Sequence, residues 1–202
     1  MQSERERFEN SLTANMKTFG VELPPTALAQ LGTYYSLLTH WNDRLHLVAP
    51  CSPEEFANRH VLESLLLLPH LPPKAKIADV GSGAGFPLLP CLIARPDLDA
   101  TLIESSQKKA IFLREALSAV ARKATVIARR FAEVEAPAVE FVTARALDQF
   151  AQQLPQLIAW APPEATLLFF GGAGLGENLP DAEAFLVPLS EKRFLFRRDP
   201  RE

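Results

Sequence analysis

A chain of 202 residues that is 48% hydrophobic and 22% charged is long enough for one well-buried α/β domain with a small appendage. No apolar run approaches the length of a membrane span, the leucine run at residues 65–68 stops at Pro69, and no signal-like apolar region opens the chain, so we expect a cytoplasmic protein with no membrane segment. Cys51 and Cys91 have no CxxC partner or neighbouring histidine cluster, which argues against a disulfide framework or a metal, and a formal net charge of −3 argues against a general nucleic-acid binder.

Residues 1–70 read as a helical extension. Leu12, Met16 and Phe19 recur at helical spacing, as do Leu28, Leu31, Tyr35 and Leu38, and Pro24-Pro25 separates the two apolar faces. A third helix is expected from Ser52 toward Leu68, because Ser52-Pro53-Glu54-Glu55 combines a cap residue, a proline at the first helical position and a glutamate placed to close a capping box.

From Ile77 the pattern alternates. Strands are expected at 77–80, 101–104, 125–128, 141–144 and 166–170, helices at 86–94, 107–120 and 147–160, and two further strands at 185–189 and 193–197. Residues 71–202 thus form a Rossmann-like α/β unit, a mainly parallel sheet covered by helices on both faces.

The chemistry centres on residues 77–87. An apolar strand ends in Asp79-Val80-Gly81-Ser82-Gly83-Ala84-Gly85-Phe86, where glycines let the backbone approach a ligand closely. The dinucleotide fingerprint places its third glycine one residue later, which disfavours a nicotinamide dehydrogenase. The G-x-G-x-G spacing with Asp79 before it favours S-adenosylmethionine, whose amino group wants a carboxylate nearby. Glu104, at the end of the next strand, is placed to accept both hydrogen bonds of a ribose diol. Residues 105–130 then carry seven basic residues, Lys108, Lys109, Arg114, Arg122, Lys123, Arg129 and Arg130, against one acid, Glu115. In an acidic chain this segregation reads as a face for a polyanion such as RNA.

Several segments carry a family resemblance. Trp41-Asn42, Arg59-His60-Val61-Leu62-Glu63-Ser64, the glycine loop, Glu104 with Lys108-Lys109, Phe112-Leu113-Arg114-Glu115, and Thr143-Ala144-Arg145-Ala146 resemble the bacterial glucose-inhibited division protein B family, the guanine-N7 methyltransferases of small-subunit ribosomal RNA. The R-H-x-x-E-S and A-R-A segments are the more particular to it. The chain departs from the family at Pro87-Leu88-Leu89-Pro90, His46-Leu47-Val48, Phe170-Gly171-Gly172 and Arg193-Phe194-Leu195.

The resemblance implies S-adenosylmethionine as donor, a guanine of 16S ribosomal RNA as acceptor, and a helical N-terminal extension before the catalytic sheet. We expect a class I methyltransferase sheet, ribosomal RNA or the small ribosomal subunit as partner, and a monomer. Carried over by position, Gly81 and Phe86 line the donor site, Phe131 and Ala132 flank the adenine, and Arg145 stands between donor and acceptor. Guanine N7 presents a lone pair, so attack on a sulfonium methyl needs alignment rather than a base. Arg145 and Arg130 are then the candidate catalytic residues, as clamps on phosphate or on guanine O6. A small-molecule or protein methyltransferase, or an inactive paralogue that binds S-adenosylmethionine or RNA, stands beside this reading.

Overall fold

The computed structural model describes residues 2–145 and 150–200. Helix α1 (Glu4–Asn15) starts at a capping box, with Ser3 and Glu6 satisfying each other's backbone N–H groups, and buries Phe8 and Leu12. Helix α2 (Pro25–Leu45) has proline in its first turn, where no N–H partner is needed, and ends at a left-handed His46. It buries Leu31, Tyr34, Tyr35 and Leu38.

The third helix departs from the expected continuous α-helix. Ser52 accepts from the Glu55 N–H at 3.1 Å as its sequence suggests, and α3 (Pro53–Glu55) begins there. The chain then winds into a π-helix over Phe56–Leu62, with the Glu63 N–H reaching back five residues to the Asn58 carbonyl, before α4 (Glu63–Leu65) resumes the α pitch. Such widened turns are rare and cluster at functional sites. A 3-10 turn, Leu68–His70, ends the extension.

Seven strands follow in the order β3-β2-β1-β4-β5-β7-β6. They are β1 (Lys76–Val80), β2 (Asp99–Ile103), β3 (Thr125–Ile127), β4 (Phe141–Arg145), β5 (Thr166–Gly171), β6 (Glu183–Leu186) and β7 (Phe194–Arg198). The first five are parallel, and β7 runs antiparallel to β5 and β6. All seven fall within three residues of their expected positions. Helix α5 (Leu88–Ala94) follows β1, α6 (Gln107–Ala119) follows β2 and α7 (Phe150–Trp160) follows β4. The short α8 (Ala173–Glu177), with two glycines in its five residues, has no sequence signal. Leu147, where the helix after β4 was expected to begin, and Ala146 lie outside the described residues.

Strand residues alternate between two cores, as their period of two requires. Ile77, Leu102, Leu168 and Leu195 face α5 and α6, and the N-terminal residues Phe8, Leu12, Leu31 and Tyr34 belong to that same core. Val80, Ile103, Val142 and Phe169 face the other way, against Leu154 and Leu157 of α7. Each such side chain contributes roughly 1.5–3 kcal/mol by leaving water. Because β1 connects outward to β2 on one side while β4 lies on the other, the strand order reverses between β1 and β4. A crevice opens beyond their C-terminal ends, where open α/β sheets bind ligands.

Candidate active site

The glycine loop leaves β1 with Gly81, Gly83 and Gly85 all at positive φ, 75°, 54° and 99°. Two of them serve different ends. A Cβ on Gly85 would lie 2.9 Å from the Leu89 Cβ, so this glycine lets α5 pack against the loop. A Cβ on Gly83 would meet nothing nearer than the Gly81 carbonyl at 3.7 Å, so this position faces open space in a conformation that costs an L-residue roughly 1–2 kcal/mol.

Glu104 braces the loop. Its carboxylate accepts the Gly83 N–H at 2.8 Å and the Ser106 N–H at 2.7 Å, tying the loop to the start of α6. Each carboxylate oxygen retains a lone pair for a further donor. From the other side, the buried Tyr34 hydroxyl of α2 donates to the Ala84 carbonyl at 2.6 Å. The N-terminal extension therefore supports the loop as directly as the sheet does.

A cavity of about 860 Å³ spans the crevice, within the usual range for small-ligand sites. Of the residues expected at the site, Gly81, Gly83, Phe86, Glu104, Phe131, Ala132, Arg130 and Arg145 all line it. Asp79 does not. It is wholly buried beneath the loop, where Thr143 Oγ1 donates to Oδ1 at 2.8 Å and Oδ2 has no partner. Burial pushes its carboxyl up to about 7, against the pull of its hydrogen bonds. Any contact with a cofactor amine from there is indirect or needs the loop to yield.

Arg145 lines the cavity, but its guanidinium is turned onto the extension, which corrects the expectation of a fork open to substrate. Nη2 donates to the Arg59 carbonyl at 2.6 Å, and Nη1 lies 3.4 Å from Ser64 Oγ and 3.5 Å from the His60 carbonyl. The Glu63 carboxylate sits 3.4 Å away and also accepts from Arg193 Nε at 2.9 Å. With side chains only 10% and 3% exposed, Arg145 and Glu63 form a buried pair, and the reason is physical: an arginine taken out of water must be paired. The R-H-x-x-E-S and A-R-A segments, far apart in sequence, are thus each other's partners. Asn42, from the Trp41-Asn42 segment, likewise brackets Val48 through its carbonyl and N–H at 3.1 and 2.9 Å, fixing a cavity-lining loop.

The basic stretch divides on folding. Arg122 donates to the carbonyls of Leu92 and Ile93 at the end of α5 and to Gln30, and Arg114 donates to the Val126 carbonyl, so both serve the fold. Lys109, Arg129 and Arg130 line the cavity, the two arginines exposed at its mouth.

Sequence reasoning did not single out His60, Gln153 and Gln156 as site residues, although all three line the cavity. The glutamines sit on α7 beyond β4, where a polar pair offers no distinctive signal. His60 stacks on Phe86 at 5.1 Å and packs at 5.2 Å on Phe56. Burial, with Arg145, Arg59 and Arg193 nearby, pushes its imidazole down to about 3. The thiol of Cys91 is buried and pushed up, while Cys51 is half-buried.

A mainly parallel sheet with this strand order and an antiparallel β7, a glycine loop after β1 and an acid at the end of β2 define a Rossmann-like methyltransferase. Residues 27–187 match the model of the rRNA small subunit methyltransferase G family, and the chain belongs to that family. Ribosomal RNA small subunit methyltransferase G of Acidiphilium cryptum (strain JF-5) is 39% identical over 164 residues, 80% of this chain and 72% of that protein. Its namesake from Halorhodospira halophila (strain DSM 244 / SL1) is 34% identical over 177 residues, 87% of this chain and 84% of that one. Among solved structures, a SAM dependent methyltransferase from Aquifex aeolicus shares the fold at a TM-score of 0.55 and 17% identity, covering 71% of this chain and 91% of its own.

Proposed function

We propose that this protein transfers a methyl group from S-adenosylmethionine to N7 of a guanine in 16S ribosomal RNA. Family membership supports the reaction class, and the observation that carries it to particular residues is the Gly83–Glu104 clamp on a cavity at the strand switch point. The site fits the donor. Gly83 faces open space, Glu104 keeps acceptor capacity for a ribose diol, Phe131 and Ala132 offer a surface for the adenine, and the unpartnered Asp79 Oδ2 leaves a hydrogen-bonding carboxyl behind the loop.

When bound, S-adenosylmethionine would supply an electrophilic methyl on a sulfonium, and the guanine N7 lone pair would need no proton removed to receive it. The residues of this chain act by alignment, which is worth on the order of 7–11 kcal/mol when near-attack geometry is reached. Gly83 and Glu104 hold one reactant at the ends of β1 and β2. Arg145, fixed by Glu63, holds the wall beyond β4 in one place rather than gripping the base itself. Lys109, Arg129 and Arg130 meet the phosphates, and charge reversal of all three is expected to lower the slope of log affinity for RNA against log salt by roughly 2–3.

The decisive experiment is mass mapping of methylated nucleosides in small-subunit ribosomal RNA from a strain lacking the gene, with complementation. One 7-methylguanosine is expected to vanish and return. An unchanged nucleoside pattern overturns the proposal, and loss of a methylated adenosine or cytidine instead overturns the acceptor.

A further inference from the structure

The walls of the cavity that lie away from Glu104 contain one hydrogen-bonding ring whose edge the protein does not use. His60 leaves the last turns of the π-helix and lies with its ring stacked on Phe86, the two planes 26° apart, and tilted on Phe56. Its faces are thus occupied by aromatic neighbours. Its edges are not, since among the described residues no group is hydrogen-bonded to either ring nitrogen.

The position of the ring on the sheet is fixed by Arg145. That guanidinium, at the end of β4, approaches the His60 carbonyl at 3.5 Å and lies 5.9 Å over the same Phe86 ring. His60 therefore stands on the β4 side of β1, across the switch point from β2 and Glu104. A nucleoside held by Glu104 at the β2 end leaves the β4 end for the molecule that receives the methyl group.

We infer that His60 contacts the acceptor base, an imidazole nitrogen accepting a hydrogen bond from the N1–H of the guanine. This rests on the methyltransferase reading above and adds a specificity-determining residue to it. Uncharged imidazole is both a donor and an acceptor, whereas imidazolium only donates. Burial and three nearby arginines keep the ring uncharged, so the acceptor nitrogen persists throughout the physiological range. Positive charge develops on guanine as N7 is alkylated, and N1–H becomes a stronger donor. A bond to it tightens in the transition state, which is the kind of contact that raises turnover rather than only affinity. A cation at the same place would oppose the reaction. Cytosine and uracil lack the geometry, and adenine has no hydrogen at N1.

The test compares His60→Phe, which keeps an aromatic ring on Phe86 and removes the hydrogen-bonding edge, with His60→Gln, which keeps an acceptor and removes the aromatic ring. His60→Leu serves as a second edge-deleting variant should Phe disturb the stack. Each full-length variant is checked for folding, for S-adenosylmethionine binding by calorimetry, and for kcat and KM on small-subunit RNA from the gene-deleted strain. The expected result is cofactor affinity unchanged within about twofold, kcat down about 10–100-fold in the edge-deleting variants, and a smaller loss in His60→Gln. A ring that serves only packing gives the reverse order, with Phe active and Gln impaired, and that result overturns the inference. Wild-type protein that binds the cofactor yet methylates no guanine overturns the functional reading and this inference together. Normal wild-type activity with an active His60→Phe overturns this inference alone.

Discussion

On the cofactor side of the cavity, the groups come from consecutive strand ends in chain order: Gly81 and Gly83 after β1, Glu104 after β2, Phe131 and Ala132 after β3. On the other side, Arg59, His60 and Glu63 come from the extension, Arg145 from β4, and Arg193 from just before β7, with Glu63 and Arg193 separated by 130 positions. The first wall is local backbone geometry with one carboxylate brace. The second is a network built around the buried pair Arg145 and Glu63, whose members have no meaning apart from one another. A wall of the first kind can be read and altered residue by residue, whereas one of the second kind fails as a unit.

That contrast orders the expected effects. Glu63→Ala leaves the nearly buried Arg145 without its carboxylate, and breaking such a pair costs about 3–5 kcal/mol. Urea unfolding checks this, and a loss under about 1 kcal/mol would mean that the network does not hold the extension. For the same reason Arg145→Ala is expected to lower stability as well as turnover. Glu104→Ala acts on the other wall. Removing a charged hydrogen-bond partner of about 1.5–3 kcal/mol should weaken S-adenosylmethionine binding roughly 10–100-fold by calorimetry, with a smaller effect on RNA affinity. Equal losses for both ligands would break the division into two walls.

Asp79 supplies a pH signature. Its folded carboxyl is raised to about 7 from an ordinary 3.8, so the folded state holds a proton between these values that the unfolded chain has lost. The stability this group contributes to the cofactor-free protein is therefore fully present below about pH 4 and declines as pH rises toward 7, by at most about 1.4 kcal/mol per pH unit. His60, pushed down to about 3, acts in the opposite sense as pH falls below 6.5, so the informative quantity is the difference between wild type and Asp79→Asn. That difference should slope across pH 4–7; a flat difference would show that Asp79 ionises freely under the loop.

The smallest effect joins the two walls. Tyr34→Phe removes the α2 hydroxyl that donates to the Ala84 carbonyl, at a cost of about 0.5–1.5 kcal/mol in thermal unfolding. Because Tyr34 belongs to the extension and Ala84 to the glycine loop, S-adenosylmethionine affinity should fall severalfold with it. Unchanged affinity would confine the extension's influence to the acceptor side.

The amino-acid sequence by itself determined the five parallel strands, the turn that needs three residues at positive φ, and the acid one strand further on. These follow from apolar periodicity and from glycine's missing Cβ, both of which act over a few neighbouring residues. It also carried the segments around Arg59 and Arg145, but not their relation. Only the tertiary structure decided that the guanidinium of Arg145 pairs with Glu63 instead of facing the cavity, that Arg122 and Arg114 serve the fold while Arg129 and Arg130 stay at the mouth, and that Asp79 lies beneath the loop. The π-helix that sets His60 on Phe86 has no periodic signature either. A long polar side chain commits to whichever buried partner most lowers its desolvation cost, and that partner is chosen by which segments pack together, a property of the folded chain and not of any stretch of it.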